Sequence, residues 1–316
     1  MEFKQYINKR NKPVFMYIHG ECLSTFSFKI ETKELKKDFT VILPIIGNDF
    51  KDIESAADEI IAFIDKKYKG HIAVLSGFSL GGQIAINILS KRPDFCDHAI
   101  IEEARMEPMK IRNWSDLVAV YANPLAQNKL FNSFMYYTKF NKDFAEKEYY
   151  QNFKQLSKDT VKNQLEATYS FTMPENLNQV TCQMAIMVGQ RVRKAYKHSA
   201  DLLHEQVPNS HIFMLMNYTH GDFSLGHPEE FIRFVKSWIQ KKDKQQRKAA
   251  VKEQPADEGI YMPNWKHILL RLKEKRQKQK QLSERGGCGQ ILGPTMTGRK
   301  KNVVCGGREK ESTSIV

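Results

Sequence analysis

Short continuous runs of apolar residues alternate along the chain with longer segments in which apolar residues recur at helical spacing. The apolar runs lie at 13–18, 39–46, 71–76, 98–101, 183–188 and 211–216. Runs of this length without polar alternation predict strands that are buried on both faces of a sheet. The helical spacing occurs at 53–68, 83–89, 194–205 and from about 228 onwards. This alternation predicts an α/β fold, with a mostly parallel sheet and helices on both of its faces.

The strand predicted at 71–76 leads into the turn sequence Gly77-Phe78-Ser79-Leu80-Gly81-Gly82, and a helical pattern follows directly. A serine with glycines two residues away on either side, at a strand-to-helix turn, is the pattern of a nucleophile elbow. Small residues are needed there because the turned backbone leaves no room for side chains beside the serine. We therefore expect Ser79 to be a nucleophile, and an ordinary glycine-rich turn is the alternative.

A serine hydroxyl needs a base within hydrogen-bonding reach before it becomes a good nucleophile. His220 follows the last predicted strand, and residues at the carboxyl ends of parallel strands meet at one edge of the sheet. We therefore expect His220 to be the base. His227, at the start of the closing helix, is the alternative, but its position suits it to beginning that helix.

Attack of a serine on a carbonyl group creates an oxyanion, which needs two preorganised N–H donors. The backbone N–H of Leu80, directly after the serine, is one candidate. The strand at 13–18 ends in His19-Gly20, which makes the backbone N–H of Glu21 the second candidate. An acidic side chain is unfavourable beside a developing negative charge, so we expect the Glu21 side chain to point outward.

These features together resemble an α/β-hydrolase: a strand ending in His19-Gly20, the elbow at 77–81, a helical insertion after the next strand, and His220 after the last. The resemblance covers about residues 10–240. Within the superfamily, the chain is similar to uncharacterised bacterial hydrolases with a helical lid. It implies a serine hydrolase that works through an acyl-enzyme, and it does not name the substrate.

The acid of the catalytic triad departs from the pattern of the family. The family usually places Asp or Glu after the penultimate strand, where this chain reads Gly189-Gln190-Arg191-Val192-Arg193. Some members take the acid from the end of the strand that follows the elbow, where Glu102 and Glu103 stand. Successive strand residues face opposite sides, so one of the two should face the site. We choose Glu102 to orient His220; Glu103, or no carboxylate and little activity, are the alternatives.

Residues 105–178 interrupt the alternation of strands and helices and are rich in aromatic residues. We predict a core formed by 1–104 and 179–240, with 105–178 as a helical lid insertion whose inner face forms an apolar substrate pocket. Simple packing of the insertion on the sheet is the alternative. The aromatic residues include Trp114, Tyr121, Phe131, Phe134, Tyr136, Tyr137, Phe140 and Phe144.

The net charge of +13 is concentrated at one end of the chain. Residues 241–316 contain 19 Lys and Arg against 8 Asp and Glu, whereas residues 1–240 contain 30 against 28. We predict that 241–316 form a basic, poorly ordered tail. Contact of this tail with RNA or an anionic surface is the alternative, and we do not expect the rest of the chain to bind nucleic acid.

The N-terminal residues are too polar for a signal peptide, and no apolar stretch reaches the ~18 residues needed to span a bilayer. We therefore expect a cytoplasmic protein without membrane insertion. Cys288 and Cys305 lack nearby partners for zinc, so we expect no metal, and no feature indicates a cofactor.

The function expected from these observations is that of a serine hydrolase cleaving a small ester, thioester or amide with an apolar acyl part. The alternative is a catalytically impaired hydrolase fold that serves as a binding or interaction protein, which the missing acid after Gly189 would favour. The sequence indicates no oligomeric state.

Overall fold

The structure is a computed structural model that describes residues 1–7, 12–109 and 146–249, with side chains to Ile239. The aromatic residues named for the insertion and the predicted tail beyond Ala249 lie outside the described residues, so these predictions stay predictions. Every structural statement below concerns the described ranges.

Seven strands within those ranges form one sheet in the order β1-β3-β2-β4-β5-β6-β7. β1 pairs antiparallel with β3, and the other neighbouring pairs are parallel. The carboxyl ends of the parallel strands therefore lie along one edge. The strands are β1 (Glu2–Tyr6), β2 (Val14–Ile18), β3 (Thr40–Ile45), β4 (Ile72–Phe78), β5 (Cys96–Glu102), β6 (Gln183–Gly189) and β7 (Ser210–Leu215).

The helices alternate with the parallel strands, apart from two that follow one another in the insertion. They are α1 (Lys29–Leu35), α2 (Ile53–Tyr68), α3 (Leu80–Lys91), α4 (Glu146–Gln155), α5 (Lys158–Ser170), α6 (Lys194–Gln206) and α7 (Pro228–Ala249). A π-helical turn at Asp222–Gly226 joins the loop after β7 to α7. None of the described helices is long and apolar enough to cross a membrane.

Each face of the sheet is covered by its own set of helices. Strand residues alternate between the two apolar clusters: Met16 and Ile18 pack with α2, α3 and α6, whereas Phe15 and Tyr17 pack with α1 and α7. On β5, Ile100 belongs to the second cluster. We call the side covered by α1 and α7 the rear face and the other side the front face. The predicted α/β architecture is confirmed.

The boundaries of α2 follow from its end residues. The side chain of Asp52 accepts a hydrogen bond of 2.7 Å from the backbone N–H of Ser55, which caps the helix start. Lys69 adopts a left-handed conformation (φ 59°) that ends the helix. The prediction of a helix over 53–68 is confirmed.

The sequence analysis missed β1 and α1. β1 is an edge strand whose residues are only half buried, so its sequence lacks the continuous apolar run that marked the other strands. α1 has seven residues, too few for helical spacing to stand out. Neither element contributes a residue to the site described below.

Candidate active site

Ser79 lies at the sharp turn between β4 and α3. Its backbone has φ 52° and ψ −114°, a conformation that a serine adopts only at a cost in strain. A Cβ atom on Gly77 would lie 2.3 Å from the carbonyl oxygen of Gly81, and one on Gly81 would lie 2.0 Å from that of Ile18. Glycine is therefore required at both positions, as the elbow pattern predicted.

The start of α3 presents backbone N–H groups beside Ser79. Leu80 is the first residue of the helix, so its N–H has no acceptor within α3. The N–H of Ser79 itself donates to the carbonyl oxygen of Glu102 at 2.9 Å, which joins the turn to β5. The Leu80 N–H is thus suited to binding an anion.

The loop after β2 is held by the buried ring of His19. Nδ1 lies 2.9 Å from the carbonyl oxygen of Gly20, and Nε2 accepts a hydrogen bond of 3.1 Å from the N–H of Ile46. Burial lowers the pKa of His19 to about 4, so the ring is neutral at pH 7. His19 therefore has a structural role, because it fixes the backbone that carries Glu21.

The side chain of Glu21 faces the nucleophile, so the expectation that it points outward is wrong. Glu21 is only 7% exposed, and its Oε2 accepts a hydrogen bond of 3.1 Å from Oγ of Ser79. The next N–H, that of Cys22, donates to Oε1 of Gln164 on α5 at 2.7 Å. The described part of the insertion thus helps to position the loop that carries Glu21.

Glu103 lies directly after β5 and is the carboxylate that meets the histidine. Its Oε2 lies 2.9 Å from Nδ1 of His220 and accepts a hydrogen bond of 2.7 Å from the N–H of Gly221. Its Oε1 accepts a hydrogen bond of 3.0 Å from the N–H of Gly189. Glu103 has a left-handed backbone (φ 49°), a strained conformation that turns its side chain away from the strand alternation.

Gly189, the last residue of β6, leaves room for the carboxyl group of Glu103. A Cβ atom at this position would lie 2.9 Å from Oε1 of Glu103 and 2.5 Å from the carbonyl oxygen of Tyr218. The carboxyl group of Glu103 therefore occupies space that a side chain at position 189 would need.

Glu102, which the sequence analysis chose to orient His220, points to the rear face instead. It lies on the same side of β5 as Ile100, and its Oε1 accepts a hydrogen bond of 3.1 Å from the N–H of Ser224. Burial, and then the negative charge of Glu103, raise the pKa of Glu102 to about 8. A carboxyl group that is protonated at pH 7 and faces away cannot pair with His220, so this choice does not agree with the structure.

His220 lies beside the elbow, in the loop that follows β7. Its side chain is 27% exposed. The centroid of its ring lies 5.0 Å from that of Phe78, the residue before the serine. The ring is tilted away from a linear hydrogen bond with Glu103, although the two atoms are close. With Nδ1 on the carboxylate side, Nε2 is the nitrogen left to act as a base.

His227, the alternative base, contacts the loop before α7 and the first turn of that helix. Its Nδ1 lies 2.7 Å from the carbonyl oxygen of Asp222, and its ring stacks on that of Tyr218 at 4.4 Å. Its carbonyl oxygen accepts the N–H of Glu230 in the first turn of α7. These contacts fit the part in starting the helix that the sequence suggested.

Tyr196 and Arg105 adjoin the site, and the sequence analysis did not find them. The ring of Tyr196 lies 4.6 Å from that of His220, and the guanidinium carbon of Arg105 lies 6.0 Å from the Tyr196 ring. Burial, followed by the charge of Glu21, raises the pKa of Tyr196. Neither residue stands in a recognisable motif, so no local signal could have identified them.

The structure thus brings Ser79, Glu21, Glu103 and His220 to one edge of the sheet and leaves Glu102 behind it. Within the described ranges, the hydrogen bond of the Ser79 hydroxyl is to Glu21 and not to His220. No group of three or more His, Cys, Asp or Glu side chains in those ranges is arranged to hold a metal ion.

Several solved structures share this architecture. An esterase from Thermogutta terrifontis is 18% identical, with a TM-score of 0.61 over 76% of this chain and 93% of its own. An enol-lactonase from Burkholderia xenovorans is 13% identical, with a TM-score of 0.63 over 76% and 96%. An esterase from Exiguobacterium antarcticum is 18% identical, with a TM-score of 0.62 over 75% and 94%.

These similarities show that the chain has the α/β-hydrolase fold, which confirms the predicted fold class. No protein-family model and no curated protein sequence matches the chain. At identities this low, the likeness concerns the fold, and the chemistry has to be argued from the residues of this chain.

Proposed function

We propose that the protein is a serine hydrolase that cleaves a small ester, thioester or amide with an apolar acyl part. The observation that carries the proposal is the convergence of the strained Ser79 turn and the Glu103–His220 pair at one edge of the sheet. The esterases and the lactonase of the same fold support this class of reaction.

The reaction begins with attack of the Ser79 oxygen on the substrate carbonyl carbon. His220 takes the hydroxyl proton on Nε2 as the new C–O bond forms, and it gives that proton to the leaving group as the bond to this group breaks. Water then attacks the acyl-enzyme with the same assistance, which releases the acid and restores the serine. To begin, Oγ must turn from Glu21 towards His220.

In this proposal Glu103 takes the orienting part first assigned to Glu102. Its contacts with the N–H groups of Gly189 and Gly221 fix the carboxylate, which lies 2.9 Å from Nδ1 of His220 and can orient the ring. The N–H groups of Leu80 and Glu21 are proposed to hold the oxyanion. The first lies at a helix N-terminus, which adds a favourable dipole.

A fluorophosphonate probe tests the proposal because it reacts with activated serines. We expect the probe to label the purified full-length protein and to fail on Ser79→Ala. Ser90→Ala is the matched control, because Ser90 lies on α3, the helix that follows Ser79, and its hydroxyl donates to the carbonyl oxygen of Asn87. The probe should label this variant as it labels wild type. If the folded wild-type protein is not labelled, the proposal is wrong.

The hydrogen bond between Ser79 and Glu21 favours a second candidate function, that of a catalytically impaired binding protein. A serine held by a carboxylate rather than by the histidine is not ready to attack. Labelling by the probe separates the two, because an impaired site binds ligands without reacting. The original reason for this alternative, a missing acid, is weakened by the position of Glu103 beside His220.

A further inference from the structure

A series of hydrogen bonds joins α5 of the insertion to the loop after β2. Gln164 on α5 is fully buried. Its Oε1 accepts a hydrogen bond of 2.7 Å from the N–H of Cys22, and its Nε2 donates to the carbonyl oxygen of Ile46 at 3.1 Å. The N–H of Ile46 donates in turn to Nε2 of His19, whose Nδ1 lies 2.9 Å from the carbonyl oxygen of Gly20. Both ends of the series therefore lie in the same short loop.

The positions of the protons in this series follow from the chemistry of the groups. A backbone N–H can only donate, so the amide of Gln164 must turn its oxygen to Cys22 and its nitrogen to Ile46. For the same reason Nε2 of His19 carries no proton. The lowered pKa of His19 leaves the ring neutral, so the proton is on Nδ1 and is donated to Gly20. One arrangement of protons thus satisfies every group in the series.

These contacts set the direction of the N–H of Glu21. A peptide bond is planar and trans, so the carbonyl of Gly20 and the N–H of Glu21 point in opposite directions. His19 holds this peptide, and Gln164 holds the peptide that follows it. Residue 21 lies beside the nucleophile, because its side chain contacts Oγ of Ser79. An N–H fixed in this way suits an oxyanion donor, because a preorganised donor does not have to rearrange during the reaction.

Cys22, directly after Glu21, packs into the insertion. It is fully buried, and its backbone is left-handed (φ 57°), which a residue other than glycine adopts only where its surroundings hold it. Nδ2 of Asn152 on α4 donates to its carbonyl oxygen at 3.0 Å. The insertion therefore supplies both polar and apolar contacts to this turn. The apolar contacts are with Phe153, Val161 and Leu165.

We propose that Gln164 is a positioning residue for the oxyanion hole. Through Cys22 and Ile46 it holds the N–H of Glu21, the second proposed donor, in the direction that the transition state requires. Helix α5 thereby completes the site from outside the core of the fold, in addition to any part it has in covering a substrate. This inference rests on the proposed function and makes no use of the Glu21 side chain.

Gln164→Met tests the inference, because methionine is an unbranched side chain without an amide group. The change leaves the N–H of Cys22 without its acceptor on α5, so the loop is free to turn away from the site. We expect kcat/KM for p-nitrophenyl butyrate to fall roughly 10- to 100-fold, less than the removal of an oxyanion donor would cause. An unchanged kcat/KM in the folded variant overturns the inference.

Two ketones separate positioning of the donor from a general loss of structure. Oγ of Ser79 adds to the carbonyl carbon of trifluoromethyl pentyl ketone, its proton passes to His220, and the carbonyl oxygen becomes an oxyanion. Methyl pentyl ketone binds chiefly as the intact ketone. In Gln164→Met, inhibition by the first should weaken roughly 10- to 100-fold and inhibition by the second less than about threefold. Equal weakening of both overturns the inference, because it would mean that only the pocket has changed.

Thr160→Val is the matched control for this substitution. Thr160 is buried on α5 one turn before Gln164, and its Oγ1 donates to Oδ1 of Asn48 at 3.0 Å, outside the loop that carries Glu21. The change removes a buried contact of the same helix and should leave the ratio of the two inhibition constants as in wild type. A change in this ratio as large as that in Gln164→Met overturns the inference.

Gln164→Glu tests whether the hydrogen bonds themselves are needed. Burial favours the protonated carboxyl group, which can accept from Cys22 and donate to Ile46 as the amide does. Most of the preference for the trifluoromethyl ketone should therefore be restored relative to Gln164→Met. A folded Gln164→Glu protein that discriminates no better than Gln164→Met overturns the inference.

Hydrogen exchange measured by mass spectrometry on the full-length protein requires no turnover. Amides of residues 19–24 should exchange roughly tenfold or more faster in Gln164→Met than in wild type, and at the wild-type rate in Thr160→Val. Equal exchange in Gln164→Met and wild type overturns the inference, whether or not the protein is a hydrolase. If the loop is protected as expected but wild-type Ser79 is neither labelled by the fluorophosphonate nor inhibited by the trifluoromethyl ketone, the proposed function is overturned, and with it the part of Gln164 in catalysis.

Discussion

Glu102 and Glu103 are adjacent residues of the same type, yet they lie in opposite surroundings. Glu103 meets His220 and two backbone N–H groups at the carboxyl edge of the sheet. Glu102 is buried on the rear face, where it accepts the N–H of Ser224 and where its charge adds to the effect of burial in raising the pKa of Glu31. The comparison teaches that the direction of a side chain, more than its type, decides whether an acid meets the candidate active site or the apolar rear face.

Both glutamates nevertheless hold the same segment of chain. Glu103 binds the backbone beside His220, and Glu102 binds it at Ser224, within the π-helical turn before α7. The hydroxyl of Ser224 contacts that of Tyr17 at 3.3 Å, which extends the rear contacts to β2. The loop carrying the histidine is thus held both at the carboxyl edge of the sheet and from its rear face.

The sharpest test of the comparison replaces each glutamate by glutamine. Glu103→Gln removes the carboxylate that orients His220, so we expect kcat/KM for a p-nitrophenyl ester to fall roughly 10³- to 10⁴-fold. Glu102→Gln resembles the protonated acid that burial favours and should change kcat/KM less than about tenfold, or 1.4 kcal/mol. The opposite order would show that Glu102 is the working acid after all.

The next test concerns His19, in the loop after β2. Its pKa is lowered from 6.5 to about 4, so the unfolded chain binds more protons than the folded one between these values. The stabilisation is complete above pH 6.5 and is lost as the pH falls towards 4, by about 3 kcal/mol. Between pH 7.5 and pH 4, the unfolding free energy measured in urea should change less favourably in wild type than in His19→Gln, by about 3 kcal/mol, because the opposing contributions of Glu31 and Glu102 are the same in both proteins. Equal changes in the two proteins would contradict the low pKa.

Glu31 on the rear face has the opposite dependence on pH. Burial raises its pKa from 4.5 to about 8, so the folded chain binds more protons between these values. Its contribution to stability is present below pH 4.5 and is lost as the pH rises through 8. Glu31→Gln should therefore be more stable than wild type at pH 9 by about 2 kcal/mol. This is less than the full cost of burying an ionised carboxylate, because water penetration and relaxation of the structure reduce that cost. The two proteins should unfold at similar urea concentrations at pH 4.5.

The smallest effect is expected for Ser224→Ala. The change deprives the buried hydroxyl of Tyr17 of its contact and should cost about 1 kcal/mol of unfolding free energy in urea. The N–H of residue 224 still reaches Glu102, so kcat/KM should stay within about threefold of wild type. A large loss of activity at unchanged stability would mean that the rear contacts act on the chemistry directly.

Local patterns were sufficient to predict most of the fold. The buried strands, α2 and the elbow each follow from the order of apolar residues and glycines. The position of His220 at the carboxyl edge of the sheet could be predicted from the rule that parallel strands end at one edge. β1 escaped because an edge strand that is half exposed has no distinctive apolar run.

The choice between the two glutamates needed information that local patterns do not contain. Alternation along a strand assigns a face only as far as the strand extends, and Glu103 lies one residue beyond β5 in a left-handed conformation. That conformation is supported by contacts with Gly189 and Gly221, which are distant in sequence. The inward direction of Glu21 likewise depends on how His19 and Gln164 hold its loop.

The hydrogen bond from the N–H of Ser79 to the carbonyl of Glu102 has a consequence for heat inactivation. The nucleophile is fastened to the same peptide unit that begins Glu103, and the N–H of Glu103 is bonded in turn to Met187 on β6. His220 instead belongs to the loop after β7, the last strand of the described sheet. Segments with fewer buried contacts open at lower free energy than the sheet interior. If the protein is the hydrolase proposed above, it should therefore lose turnover on warming first through reversible opening of this loop, while Ser79 and Glu103 remain in place until the sheet itself unfolds.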